Sequence, residues 1–321
     1  MINRTIIRLK VVQLIYAYYQ NGDRRTAAVE KELMYSLSKA YDLYNYLLCL
    51  IVDLTNYAEE VIAEQEEKNR VAHIETEISH RLIDNRFAIV LHDNEMLTNF
   101  RNNQHLSWKD ERDYLRRLYD KIVNSEYYSD YLAIKETTFD DDREFWRRIY
   151  KNIIMKDEEI DTIIEDMSLY WNDDKEIVDT FVLKTIKRFT AESTSEQPLM
   201  PQFRDEDDVM FAKRLLTRTI DNAQYYQSLI SSTTRNWELN RIAFMDLVIM
   251  QVALAEILSF PEIPISVTMN EYIELAKCYS TPKSYLYING ILDNIAKRLR
   301  SEGKLMKQAA PAPSRDGNAG K

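Results

Sequence analysis

An all-α fold is predicted by three features of this sequence: scarce turn-forming residues, apolar side chains at steps of three and four, and signals that start helices. Five glycines and seven prolines occur in 321 residues, too few for the turns of an α/β or all-β chain of that length. The length allows two domains with substantial cores. The first helix is expected from Arg4 to Gln20, with Ile7, Val11, Leu14, Ile15 and Tyr18 on its apolar face and Gly22 as a left-handed C-cap. A long helix is expected over 27–65, with Leu33, Leu37, Tyr41, Tyr44, Leu48 and Ile51 in its stripe. Residues 70–110 read as polar and irregular, because "HDNE" and "RNNQ" suggest turns. Helices resume to Thr190, and "TAESTSEQPLMPQ" at 190–202 reads as a linker. Three or four further helices follow, ending near Arg300. Residues 303–321 read as a disordered tail.

"KSYLYINGILD" at 283–293 carries the one glycine between Gly22 and Gly303. Asn-Gly is ordinarily a hairpin signal. Here Tyr285, Ile288, Leu292, Ile295 and Leu299 keep helical spacing, and Thr281-Pro282 offers an N-cap followed by proline at the first helical position. Gly290 is therefore expected inside a helix, at a cost of about 1 kcal/mol relative to alanine. The expected reason is close packing of a neighbouring helix.

Net charge is −10, unevenly distributed. Arg4, Arg8 and Lys10 stand in an acid-free N-terminal stretch, and Lys283 to Lys307 is also basic. Acid concentrates in the middle, as in "DDDRE" at 140–144 and "KDEEID" at 156–161. Such runs ordinarily form solvated helix faces. No glycine-rich phosphate loop or nucleophile elbow fits between 23 and 302, so several enzyme classes are excluded. The four histidines (His73, His80, His92, His105) form no zinc motif. His73 and His80 could share a face with Glu77, although solvated surface histidines are the plainer reading. No catalytic residue, cofactor or metal is expected. Cys49 and Cys278 fit a reducing compartment, and no signal peptide or membrane span is evident, so a soluble cytoplasmic protein is expected.

A faint repeat appears at an offset of 66. It matches Asp141, Asp142, Phe145 and Arg148 with Asp207, Asp208, Phe211 and Arg214, then Ile154, Ile164 and Trp171 with Ile220, Ile230 and Trp237. Duplication of a helical unit and chance likeness between amphipathic helices both explain it.

The segment "IPISVTMNEYIELAK" followed by "LYINGILD" resembles the NusB family of transcription antitermination factors. Pro264, Val267, Asn270-Glu271, Glu274 to Lys277, Asn289-Gly290 and Leu292-Asp293 carry the resemblance, with Glu256 in the preceding helix. "RLKVVQLIYAYYQ" resembles the family's first helix, with Gln13 in register, and "DVMFAKRLL" at 208–216 the opening of its middle portion. The resemblance implies a non-enzymatic, two-subdomain helical bundle interrupted by a large helical insertion. Residues 1–22 would be the first helix with its basic N-terminus, 23–204 the acidic insertion, 205–302 the core and 303–321 the tail. It further implies binding of boxA-like single-stranded ribosomal RNA with the ribosomal protein NusE, and joining of the RNA polymerase antitermination complex. Arg4, Arg8, Lys10, Gln13, Tyr287 and Asn289 are the implied RNA-binding residues, and Asp246 the implied NusE contact. Packing roles for Tyr287 and Asp246 stay open. Thr5, Ile6 and Ile7 interrupt the family's arginine run, and Gln251 stands where an arginine is usual. A NusB-fold scaffold that has lost RNA binding is the alternative. RNA methyltransferases with a NusB-like domain need a glycine-containing cofactor domain that this chain lacks.

Overall fold

Polar side-chain caps, not glycines, start half of the α-helices. A computed structural model describes residues 1–22, 25–234 and 242–305. Among them are fourteen α-helices, two short 3-10 turns and no strand, with one isolated parallel bridge between Ile2 and Phe203. The remaining stretches, including Trp237 and the tail from residue 306, lie outside the described residues.

The chain divides into two compact units. A terminal unit comprises Ile2–Leu37 and the chain from Phe203 onward; a middle unit comprises Ser38–Gln202 with Met1. The terminal unit holds α1 (Arg4–Asn21), the start of α2 (Thr26–Val71), α10 (Glu206–Asp221), α11 (Ala223–Thr233), α12 (Phe244–Ser259), α13 (Ile265–Tyr279) and α14 (Ser284–Ser301). Gly22 ends α1 with a positive φ of 63°. α12 is the hub of this unit: α1, α10, α11, α13 and α14 all pack on it. Every residue from Val248 to Ile257 is accordingly buried, a pattern with no polar face.

The middle unit holds the rest of α2, then α3 (Arg86–His92), α4 (Glu95–Gln104), α5 (Arg112–Val123), α6 (Glu126–Ala133), α7 (Phe139–Asn152), α8 (Glu158–Met167) and α9 (Lys175–Arg188). The expected irregular stretch at 70–110 contains α3 and α4. Asn85 and Asn94, the latter in the turn-like "HDNE", are N-caps that accept from the Ala88 and Leu97 amides. Buried acids hold this unit together. Asp53 accepts from Arg101 (2.8 Å), Ser107 (3.0 Å) and the Trp108 amide (2.9 Å), and Trp108 stacks on Tyr46. Asp142 accepts from Arg86 Nε (2.7 Å) and the Tyr131 hydroxyl (2.7 Å). The run "DDDRE" thus divides between a capping box at Thr138 and Asp141 and this buried lock.

One buried polar group in the hub lacks a partner. Gln251 is fully buried, and neither amide atom has a hydrogen-bond partner among the described residues. Removing an unsatisfied buried amide is favourable when shape is kept. Gln251→Met should therefore raise the unfolding free energy by about 1–2 kcal/mol, measured by urea denaturation. A loss of stability would show that the amide is satisfied in solution.

Candidate nucleic-acid interface

The basic N-terminal stretch enters α1 through Asn3, whose side chain accepts from the Ile6 amide. Capping there fixes which turn each cation occupies. Arg4, at the first helical position, is half-buried; its Nε lies 3.6 Å from Asp208 and its guanidinium 4.8 Å from the Phe211 ring centre. One turn on, Arg8 points into the core. Its Nε and Nη2 donate to Glu256 at 2.8 and 2.9 Å, and Nη1 lies 3.2 Å from Glu271. Glu256 also accepts from Thr268 (2.8 Å) and the Tyr272 hydroxyl (3.0 Å). Burial alone would lower the Arg8 pKa, but the Glu256 hydrogen bonds and charge outweigh it and hold the guanidinium above its ordinary value. Lys10 is buried as well. The expected phosphate-contact array therefore needs correction: Arg8 and Lys10 are interior, and of the three cations only Arg4 is partly open. The sequence hides this because the partner of Arg8 lies 248 residues away. Gln13 is half-buried.

At the other end of the hub, Asp246 is 4 % exposed and accepts from Ser280 and from Ser284 (2.9 Å). It ties the start of α12 to the start of α14, so as a partner contact it is also corrected: the carboxylate is occupied inside the unit. Thr281 is not the N-cap. α14 begins at Ser284 after Lys283 in a left-handed conformation, and the Asp246–Ser284 bond anchors the entry.

That anchor sets the face of α14. Ile288, Leu292, Ile295 and Leu299 are buried as their spacing predicts. Tyr287 is half-buried, and its pKa is raised, first by desolvation and then by the Asp246 charge. Asn289 and Gly290 are exposed. The expected close neighbour of Gly290 is absent: a Cβ built there meets nothing within 4 Å. Leu286, one turn earlier, is 58 % exposed. Tyr285, expected on the buried stripe, is instead half-exposed with the Lys277 ammonium 5.5 Å from its ring centre. Of the seven residues expected at the interface, Asn289 is exposed and Tyr287 half-buried on different sides of α14, Arg4 and Gln13 are half-buried on α1, and Arg8, Lys10 and Asp246 are buried. In the middle unit, His80 contacts Glu66 at 2.6 Å, and no group of three or more metal-ligating side chains occurs among the described residues. No helix there is long and apolar enough to cross a membrane.

These features define an all-helical fold, with its buried charges holding helices together and Leu286, Asn289 and Gly290 left exposed on α14. The NusB family model matches residues 176–297. Transcription antitermination protein NusB of Finegoldia magna is 43 % identical over 94 residues, which cover 29 % of this chain and 69 % of that one. The Salinibacter ruber protein of the same name is 37 % identical over 134 residues, covering 39 % and 82 %. A solved structure of T. maritima NusB aligns with 47 % of this chain and 90 % of that one at 28 % identity, with a TM-score of 0.28. The chain belongs to the NusB family, and with it to a class of non-catalytic proteins.

Two stability effects of opposite sign follow from this geometry. Arg8→Met leaves the Glu256 carboxylate buried without its cation and should lower the unfolding free energy by about 3–5 kcal/mol in urea titration. A cost below about 1 kcal/mol would place the pair in solvent. Gly290→Ala adds a Cβ into open space and should raise helix stability by about 1 kcal/mol, read as a higher Tm in calorimetry. A lower Tm would reveal a neighbour pressed against α14.

Proposed function

We propose that the chain acts in transcription antitermination as a cytoplasmic, non-catalytic adaptor. In this reading it binds boxA-like single-stranded ribosomal RNA together with NusE and thereby joins the RNA polymerase antitermination complex. Membership of the NusB family supports the reading. The observation that carries it is the α14 face. Gly290 weakens its own helix, yet among the described residues no side chain lies within 4 Å of a Cβ built there. Beside it stand the exposed Asn289 and the half-buried Tyr287 ring. An aromatic ring beside an open backbone suits an unstacked base, which rings hold by stacking. Arg4, partly exposed beside Asp208 at 3.6 Å, adds a cation for the phosphate backbone.

A second reading, a NusB-fold scaffold without RNA binding, is favoured by one observation. Burial of Arg8 and Lys10 removes two of three N-terminal cations from the surface, which weakens the positive field that draws nucleic acid.

Fluorescence anisotropy of a labelled boxA RNA, with and without NusE, separates the two. Tyr287→Ala combined with Asn289→Ala should weaken RNA binding about tenfold while the Tm changes little, Arg8 being left in place. Unchanged affinity in the double variant contradicts the assigned face. No RNA binding by the native chain, with or without NusE, contradicts the adaptor reading and supports the scaffold.

A further inference from the structure

The two units repeat one another. In the middle unit, Asn85 caps α3 and Arg86, the first helical residue, reaches the buried Asp142 at the start of α7. In the terminal unit, Asn3 caps α1 and Arg4, the first helical residue, reaches the buried Asp208 at the start of α10. The offset of 66 then carries α7 onto α10 and α8 onto α11, whose residues 158–167 and 223–233 nearly coincide under it. Burial follows residue by residue: Phe145, Trp146, Ile149 and Tyr150 are buried, as are Phe211, Ala212, Leu215 and Leu216. Ile160 and Ile164 match the buried Tyr226 and Ile230. At an offset of 67, α9 falls on α12, and the buried acid Asp179 on the buried acid Asp246. Packing agrees in two pairs, since α3 lies on α7 and α7 on α9, as α1 lies on α10 and α10 on α12; α1 and α11 also pack on α12, more closely than α3 and α8 approach α9. Chance likeness between amphipathic helices explains a polar and apolar pattern. It does not explain an Asn-Arg helix start aimed at a buried acid in both units.

The units also differ in what covers the hub helix. Along α9 and α12 the inner positions are buried in both: Phe181, Val182, Thr185 and Ile186 against Val248, Ile249, Val252 and Ala253. On the outer side Gln251, Leu254 and Ala255 are buried in α12, on which α13 and α14 pack. Their counterparts in α9 are Lys184, Lys187 and Arg188, all exposed. The middle unit has no α13–α14 hairpin after α9; the chain passes instead into the 190–202 segment. None of the three cations forms an ion pair among the described residues, and Lys184 lies 4.8 Å from the Phe181 ring centre. Steps of three and four set such side chains about 5–6 Å apart on one face. In a chain of net charge −10, an unneutralised cationic strip is complementary to a polyanion.

We propose that the middle unit is a second, hairpin-less copy of the α1/α10/α11/α12 core, and that the strip thereby left open on α9 takes the phosphate backbone of RNA. The RNA part rests on the function proposed above. A salt titration of the full chain with a labelled single-stranded RNA tests it. Lys184→Gln, Lys187→Gln and Arg188→Gln together should weaken binding about tenfold near 0.1 M salt and reduce the slope of log affinity against log salt by about 2. The charge-reversed triple, with glutamate at the same positions, should weaken it further. Circular dichroism confirms that both variants keep native helicity. If the native chain binds and both variants keep its affinity and slope, the strip serves another partner, such as an acidic protein surface, and the proposal is overturned. If the native chain binds no RNA, the reading of the previous subsection fails with it. The duplication has its own check in an experimentally determined structure: α3, α7, α8 and α9 should superpose on α1, α10, α11 and α12 in the same order and direction. A different order or polarity overturns it.

Discussion

The terminal unit depends on a buried ion pair between its first helix and its hub. Arg8 and Glu256 meet across 248 residues of sequence, so their contact closes a loop that contains the whole middle unit. Loop closure on that scale costs entropy that grows slowly with length, and an isolated buried pair seldom repays its own desolvation. Glu256 has more than one partner. Thr268 and Tyr272 donate to the same carboxylate, so α1, α12 and α13 converge on two oxygens with their hydrogen-bonding capacity filled. With α12 held there, Asp246 at its other end anchors Ser284 and fixes the rotation of α14. The open face with Asn289 and Gly290 is the last link of this chain of constraints. A charge that reads in sequence as an RNA contact is what orients the surface proposed to meet the RNA.

Much of the fold was legible because helical periodicity is local. The stripes of α1, α2 and α14 are buried except at the half-buried Leu14, Tyr18, Tyr41 and Tyr285, and Gly22 ends α1 where expected. α3 and α4 were missed because asparagine serves turns and N-caps alike, and only the amides that Asn85 and Asn94 accept from distinguish the two. Site residues were less legible for a different reason. Whether a cation is solvated or buried depends on a partner that sequence does not place, which is why Arg8 and Lys10 looked like surface and are core. Gly290 shows the same limit in reverse: its helix was foreseen, the emptiness above it was not.

The acidic middle illustrates how little composition says about role. Asp53, Asp142 and Asp179 are each at most 2 % exposed and accept from tyrosine, serine, lysine, arginine or backbone donors. They are tertiary locks rather than a solvated acid face or a catalytic pair. Two of them have counterparts in the terminal unit, so the same architecture is built twice with different closures. Under a hairpin the outer side of the hub helix turns apolar and keeps the misfit Gln251; without one it carries cations. The burial pattern of a helix thus records what covers it.

The central claim is that the open α14 face, oriented through Arg8, Glu256 and Asp246, is the surface that meets RNA. Amide hydrogen exchange of the full chain with and without boxA RNA tests it most directly. The account predicts added protection across residues 284–292 and at the start of α1, with the slow core of α12 unchanged. Binding that protects other segments while leaving 284–292 as in the free protein would contradict it.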